Sequence, residues 1–240
     1  MNGIFKRVEK KYILSASQYQ TLMQRIGSKV TADGYGLHTI CNIYYDSEHN
    51  DLIRRSIEKP VYKEKLRLRS YGIPTEGMDV FLELKKKWKG TVYKRRVELP
   101  LHVAEEYMEN DRYPVVYDCQ ILREIDYMIH YYRLQPHLYL AYDRQAFYVT
   151  DNPEIRFTID RRIRSRKNQL KLSLQDKGEL LFDENTMLME IKAPGALPEW
   201  FVKSLSELAI YPCSFSKYGR IYTESCDRKL PAARMMKELQ

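Results

Sequence analysis

The fold class depends on residues 65–99, which read KLRLRSYGIPTEGMDVFLELKKKWKGTVYKRRVEL. In three segments, 65–71, 79–87 and 92–99, apolar residues alternate with charged ones. Because residues two apart share a face of a strand, each segment predicts a strand with one apolar and one charged face. Gly77 and the Lys89-Gly90 pair lie where turns are expected. The stretch therefore predicts three consecutive strands joined by turns.

The rest of the chain predicts further strands and a smaller number of helices. Strands are expected at 6–14, 39–45, 137–149, 155–162 and 187–192, and helices at 17–26, 47–57, 102–110, 115–132, 198–208 and 216–226. The elements do not alternate strand with helix, and no Gly-, Ser- or Pro-rich linker divides the chain. This order predicts one α+β domain over residues 1–240 with a large, mainly antiparallel sheet or barrel.

The charged faces of these strands allow two interpretations. They could be the solvated outer faces of a sandwich, where charged residues are common. They could instead line the inside of a closed β-barrel with its helices packed outside, and arginine and recurring carboxylates favour this second interpretation. A charged lumen must be hydrated or filled by a ligand, because unpaired buried charges are very costly. Converging arginine and lysine side chains suit several phosphates at once. The second interpretation therefore predicts a ligand of the polyphosphate type.

Composition agrees with an anionic ligand. There are 40 basic and 32 acidic residues, a net charge of +8 and a pI near 9.1, which favours nucleic acid, anionic lipid or phosphate-rich molecules. RNA binding on a sheet would favour aromatic residues among the basic ones, whereas these stripes carry acids, so no nucleic-acid partner is expected. The four cysteines form no CxxC pair, and no signal peptide or membrane-spanning run is present, so a cytoplasmic protein with reduced thiols is expected.

A series of short motifs occurs in one order along the chain: Arg7-x-Glu9-x-Lys11, Tyr44-Tyr45-Asp46, Arg67-x-Arg69-x-Tyr71-Gly72, Glu83-x-Lys85, Lys94-x-Arg96, Tyr142-x-Arg144, Arg156-x-x-x-Asp160, Glu190-x-Lys192 and Ser216-Lys217-Tyr218. Together they resemble the VTC domain, the polyphosphate polymerase domain of the vacuolar transporter chaperone family. This family lies within the CYTH-like, or triphosphate tunnel metalloenzyme, superfamily. The resemblance extends from about residue 5 to residue 226.

The resemblance implies a closed antiparallel tunnel barrel that binds ATP, inorganic polyphosphate and a divalent metal, Mn²⁺ or Mg²⁺. By motif, the residues implied to contact phosphates are Lys11, Arg67, Arg69, Lys85, Arg96, Arg144, Arg156 and Lys217, with Lys94 and Lys192 as further candidates. Glu190 is the implied metal ligand. Asp160, Glu83 and Glu9 are implied either to bind the ligand and metal or to orient the cations.

The sequence departs from the superfamily pattern at its start. Triphosphatases of this superfamily usually begin with E-x-E-x-K, whereas Arg7 replaces the first glutamate here. Losing a carboxylate and gaining a cation resembles the polymerase branch more than the hydrolase branch. The sequence shows no counterpart of the phosphate-sensing domain or the membrane helices of eukaryotic VTC proteins. We therefore expect that translocation requires a membrane-protein partner.

The expected function is metal-dependent transfer of the γ-phosphate of ATP to a growing polyphosphate chain, with release of ADP. One alternative is a tripolyphosphatase or nucleoside triphosphatase of the same tunnel fold, with water as the nucleophile. The other is a non-catalytic module that binds polyphosphate, nucleotide or RNA.

Overall fold

The structure, a computed structural model, describes residues 8–227. Arg7, the first residue of the motif Arg7-x-Glu9-x-Lys11, lies outside these residues. Within them, the α-helices are α1 Ala16–Ile26, α2 Asp51–Ile57, α3 Leu101–Asn110, α4 Gln120–Tyr132, α5 Glu199–Glu207 and α6 Lys217–Asp227. The strands are β1 Val8–Ser15, β2 Val30–Ala32, β3 His38–Asp46, β4 Tyr62–Tyr71, β5 Asp79–Trp88, β6 Thr91–Pro100, β7 Gln135–Val149, β8 Asn152–Arg166, β9 Glu179–Leu180, β10 Thr186–Ala193 and β11 Pro212–Cys213.

The strands pair into one large antiparallel sheet, which confirms the predicted α+β class. The order of neighbours is β11-β1-β10-β8-β7-β3-β4-β5-β6, with β2 paired to β7 and β9 paired to β8. This order has two ends, β11 and β6, so the pairing of the described strands does not close into the predicted barrel.

The chain divides into two compact units, and the first contains residues 8–40, 141–164 and 180–215. Here the apolar face of β1, β8 and β10 packs against α1 and α5. Phe157 on β8 stacks on Phe147 with ring centroids 4.9 Å apart and meets Phe201 of α5 edge-on at 5.6 Å. The Ser15 hydroxyl caps α1 by accepting a bond from the backbone amide of Gln18, and the backbone amide of Ser15 donates to Oε1 of Gln18. Helices α1 and α5 therefore cover the apolar face of these strands, and neither of them covers the charged face.

The second unit contains residues 41–140, 165–179 and 216–227. Its β4, β5 and β6 are the three strands expected from residues 65–99, and Leu66, Leu68, Leu82, Leu84 and Leu99 are buried as the alternation predicts. Helix α3 contacts β5 and β6, α4 contacts β6, and α2 contacts β4 and α6. The fully buried carboxylate of Asp46 accepts bonds from the amides of Leu52 and Ile53 at 2.9 and 3.0 Å and so fixes the start of α2.

The predicted helix 115–132 is wrong in its first turn. Residues Val115–Tyr117 form a short 3-10 turn, and α4 begins only at Gln120, where the Cys119 thiol accepts a bond from the Leu122 amide at 3.4 Å. Val116, in this short turn, is 93% exposed. Within residues 8–227, no helix is both long and apolar enough to cross a membrane.

Candidate functional site

Two arginines and one carboxylate form the centre of the charged face in the second unit. Arg67 donates from Nε to Oε2 of Glu83 at 2.7 Å, and Nη1 of Arg69 lies 3.7 Å from Oε1 of the same residue. Arg69 is buried and also donates to Oδ1 of Asn42 at 3.0 Å. Burial would raise the pKa of Glu83, but Arg67, Arg69 and Arg96 together lower it. The glutamate therefore stays ionised and holds both guanidinium groups in place.

Tyr44 is a member of this cluster that the sequence did not identify as a site residue. Its hydroxyl accepts a bond from Nη1 of Arg67 at 3.1 Å, and its ring packs on Tyr218 with centroids 5.0 Å apart. Burial would raise the pKa of this phenol, but Arg67, Lys65 and Arg69 lower it to about 8. The only sequence signal for Tyr44 was the motif Tyr44-Tyr45-Asp46 on β3. This motif contains no information on the cations around the Tyr44 hydroxyl.

The neighbouring row of the same face is basic. Lys65, Lys85 and Lys94 lie directly across from one another on β4, β5 and β6, because Lys85 is in register with both of the others. The next row inward places Arg67, Glu83 and Arg96 across the same three strands. Strand pairing thus brings together the predicted Glu83 and four of the predicted phosphate-contacting residues of this unit, which are Arg67, Lys85, Lys94 and Arg96.

Lys217 reaches this unit through the first turn of α6. The residue before it, Ser216, accepts a bond from the Lys65 ammonium at 3.2 Å, and the residue after it, Tyr218, donates to Oδ2 of Asp46 at 2.9 Å. These two bonds fix the first turn of α6 to β4 and to the end of β3. Lys217 is therefore held beside residues of the predicted set, in a half-buried position.

In the first unit, Glu190 lies among lysines. Its Oε1 is 2.8 Å from the Lys192 ammonium and its Oε2 is 3.8 Å from that of Lys11. Lys11 also lies 3.6 Å from Oε1 of Glu9 and donates to the carbonyl of Phe215 at 3.0 Å. Because Glu9 is in register with Lys192 and Lys11 with Glu190, acids and cations alternate across β1 and β10. All four of these predicted site residues share one face.

Asp160 and Arg144 form a separate, more deeply buried pair in this unit. The carboxylate is fully buried, and its two oxygens accept from Nε and Nη2 of Arg144 at 2.6 and 2.8 Å. Burial would lower the pKa of Arg144, but Tyr142, Asp160 and Glu190 raise it. Of the two roles that the sequence left open for Asp160, this geometry corresponds to orienting a cation.

Arg156 lies at the exposed margin of the first unit. It is in register with Lys192, and its Nε donates to the carbonyl of Pro153 at 3.0 Å. The structure therefore places its guanidinium at the border of the charged face, apart from the buried pair of Arg144 and Asp160.

A second acid of this unit, which is half-buried, was not predicted. Asp143 on β7 accepts from Thr39 at 2.9 Å and from Arg164 at 3.0 Å, and Arg164 is only 4% exposed. The structure shows that β8 continues to Arg166, so most of the basic run 161–167 is strand.

The residues suit a hard divalent cation that is bound mainly through phosphates. Within residues 8–227, no group of three or more histidine, cysteine, aspartate or glutamate side chains is placed to hold a metal. Glu190 and Glu9 lie on one face of adjacent strands and are the carboxylates best placed to hold a cation together with phosphates. Mg²⁺ is commonly held by one or two carboxylates together with substrate phosphates and water, so this donor set fits a phosphate-bound metal and does not fit a protein-only metal cage.

Comparisons with known proteins identify a family and a similar fold. No curated protein matches the chain. The crystal structure of a candidate adenylate cyclase from Bacillus halodurans has a similar fold, with 14% identity, a TM-score of 0.56, and coverage of 88% of this chain and 93% of that one. A second candidate adenylate cyclase, from Vibrio parahaemolyticus, aligns at 11% identity and a TM-score of 0.45 over 90% and 97% of the two chains. The family model of the VTC domain matches residues 6–224. This chain therefore belongs to the VTC domain family.

Proposed function

We propose that this chain, acting as one catalytic domain over residues 1–240, is a metal-dependent polyphosphate polymerase. It transfers the γ-phosphate of ATP to the end of an inorganic polyphosphate chain and releases ADP. The observation that carries this proposal is the cationic excess on one face of β4, β5 and β6. Two arginines share the single carboxylate Glu83, and the adjacent row consists of three lysines.

Such a face suits phosphoryl transfer because the transition state spreads negative charge over several oxygens. Catalysis of this reaction depends mainly on positioning and on neutralising that charge. Glu83 holds Arg67 and Arg69 in fixed directions, so little reorganisation is required when phosphate oxygens arrive. Tyr44, bonded to Arg67, adds a hydroxyl that can donate to a phosphate oxygen.

The reaction needs no strong general base. A terminal phosphate oxygen of the acceptor forms the new bond to the γ-phosphorus, and the bond from that phosphorus to the β–γ bridging oxygen breaks in line with it. ADP leaves with the electron pair of that bond. Because the acceptor oxygen is already anionic at neutral pH, the cations of the site are the groups that the step requires.

In this proposal Glu190, with Glu9 beside it, holds the divalent metal, Mn²⁺ or Mg²⁺. The metal supplies charge neutralisation to the phosphates when bound. Lys11 and Lys192 keep the Glu190 carboxylate in position, and the ion pair with Asp160 directs Arg144. We also propose that the charged faces line a closed tunnel of the kind that the family implies.

The experiment that tests the function is incubation of the purified chain with ATP and Mn²⁺, followed by gel electrophoresis and phosphorus NMR. Long polyphosphate together with ADP is the expected result. Orthophosphate as the sole phosphate product would replace the proposal with the tripolyphosphatase or triphosphatase. ATP binding without any product would replace it with the binding module.

A further inference from the structure

The turn between β5 and β6 and the loop before β4 form one surface, which we call the hairpin tip and define as residues 59–63 and 87–93. Lys89 and Gly90 both have positive φ, 45° and 86°, as a two-residue turn between antiparallel strands requires. The Lys89 amide donates to the carbonyl of Val61 at 3.0 Å. This bond holds the loop beside the turn, so the two segments present their side chains together.

One face of the hairpin tip is aromatic and exposed. Tyr62 lies directly across from Trp88, and Tyr93 lies across from Lys86, the residue two before Trp88 on the same face. Tyr62, Trp88 and Tyr93 are 44%, 49% and 49% exposed, and the adjacent Val61 is 64% exposed. This is the face that carries the buried leucines deeper in the sheet, so its apolar character continues beyond the core.

Helix α4 covers this face and reaches residues beside the aromatic ones, since the Tyr132 hydroxyl donates to Oε2 of Glu64 at 3.2 Å. Glu124 of α4 lies 3.3 Å from the Lys86 ammonium and 3.4 Å from Nε of Arg95. These pairs neutralise the cations of the aromatic face. Single exposed apolar residues are common, but three aromatic rings and a valine at the end of one hairpin form a patch typical of an interaction surface.

The opposite face of the hairpin tip is basic. Lys63 and Lys87 lie directly across from each other, an arrangement that is unfavourable for like charges. The pKa of Lys63 is lowered by burial and then by Lys87 and Lys59. Within residues 8–227, no ion pair involves any of the four lysines of the tip, which are Lys59, Lys63, Lys87 and Lys89. Lys63 and Lys87 thus face each other without an ion pair in the described part of the chain, so an anionic partner would relieve repulsion that the protein leaves in place.

We infer that the hairpin tip docks on an anionic lipid bilayer. The tryptophan and tyrosine rings enter the headgroup region, where amphipathic aromatic side chains are favoured, and the lysines contact lipid phosphates and carboxylates. A free phosphate chain would need only the lysine face, whereas a bilayer uses both faces. The inference does not depend on the proposed catalytic function, because none of the residues substituted in its tests is a predicted site residue. Lys63 and Lys87 share a face of the sheet with the predicted Lys85.

Trp88 offers a direct measurement of this docking. The chain has two tryptophans, and Trp200 is half-buried and stacks on Phe201 at 5.3 Å. In a Trp200→Phe variant, all tryptophan emission therefore comes from Trp88. Adding vesicles of phosphatidylcholine and phosphatidylserine in equal parts should shift this emission to shorter wavelength, and vesicles of phosphatidylcholine alone should not. Sedimentation of the unaltered chain with the same vesicles gives an independent measurement and does not depend on how the variant folds.

Two variants test the two faces separately. Lys63→Gln with Lys87→Gln should weaken binding roughly 30-fold, since each lysine near an anionic surface contributes about fivefold. In a chain that keeps both lysines, Trp88→Thr with Tyr93→Thr should remove most of the binding to phosphatidylserine vesicles. The matched control is Tyr127→Gln with Tyr131→Gln, which removes two aromatic residues of α4 that are 69% and 65% exposed, and it should leave binding unchanged.

Three results would overturn the inference. The first is sedimentation that is the same for the tip variants and the α4 control. The second is unchanged Trp88 emission in protein that sediments with vesicles. The third is binding of soluble long-chain polyphosphate, lost in the lysine variant, without any binding to phosphatidylserine vesicles, because this would assign the lysine face to a free phosphate chain.

Discussion

Arg144 and Asp160 form an ion pair with two hydrogen bonds, 2.6 and 2.8 Å long, in which the carboxylate is fully buried and the arginine side chain is 16% exposed. The pairing uses both carboxylate oxygens. A divalent metal could reach this carboxylate only if the arginine moved away. Asp160 is therefore better suited to fixing the direction of Arg144 than to binding metal.

Asp160→Asn should destabilise the protein strongly. The change leaves Arg144 buried without its charged partner, and breaking a buried pair from one side lowers the free energy of unfolding by about 3–5 kcal/mol. Urea denaturation followed by circular dichroism measures this loss. Asp118→Asn, which alters the exposed pair with Arg123, is the control and should change stability little. Unchanged stability of Asp160→Asn together with an altered metal titration would assign Asp160 as a ligand.

Arg67→Gln should weaken ATP binding while the fold is retained. Hydrogen bonds to charged groups contribute about 1.5–3 kcal/mol, so the dissociation constant should rise roughly 10- to 100-fold. Glu83 keeps Arg69 at 3.7 Å, so its charge is not left without a partner. Calorimetric titration with ATP gives the affinity, and thermal unfolding checks the fold.

Arg95→Gln is the matched control for Arg67→Gln. It removes an arginine from the same three strands, but on the opposite face, where Arg95 pairs with Glu124 at 3.4 Å. Its ATP affinity should equal that of the unaltered chain. Equal losses in the two variants would show that general charge, and not the Arg67 face, attracts the nucleotide.

Tyr44 should titrate below the ordinary tyrosine pKa of 10.0, since the neighbouring cations lower its pKa to about 8. One of the 20 tyrosines should then ionise near pH 8 in a titration followed by tyrosinate absorbance. Tyr44→Phe should remove this step, and Arg67→Gln should move it toward higher pH. A titration in Tyr44→Phe identical to that of the unaltered chain would contradict the assignment.

The same shift predicts a pH dependence of stability. The folded pKa of about 8 lies below the ordinary value of 10.0, so the contribution of Tyr44 is absent below pH 8. It grows as pH rises from 8 to 10 and is complete above that range, reaching roughly 2–3 kcal/mol. Unfolding free energies of the unaltered chain and of Tyr44→Phe, measured across this range, should diverge as pH rises.

Alternation in the sequence was enough to predict most strands and their buried face. Leu82 and Leu84 on β5 are buried, and Glu83 between them lies on the charged face, because strand geometry depends only on residue spacing. The short strands β2, β9 and β11 were missed, since two or three residues carry no period and pair only through tertiary structure. The alternation also contains no information on how deeply each charged side chain is buried, so the sequence could not show that Asp160 is buried.

Partners across strands were the other part that the sequence could not supply. The low pKa of Tyr44 arises from Arg67, Lys65 and Arg69 on β4, a strand that pairs with β3 in the sheet. Spacing within β3 contains no information on that register. Residue types therefore predicted which chemistry the face could support, whereas strand pairing determined which residues act together.

Glu190→Gln should weaken the response to metal without weakening metal-free ATP binding. The amide keeps the size of the side chain but is a poor ligand for a hard cation, so the Mn²⁺ concentration for half-maximal activity should rise at least about tenfold. Lys11 and Lys192 lose a shared negative partner and remain available to phosphates. ATP affinity measured in the presence of a chelator should therefore stay the same or increase. Glu207→Gln, on α5 in the same unit, is the control and should leave both measurements unchanged. An unaltered Mn²⁺ titration in Glu190→Gln would reject Glu190 as the metal ligand.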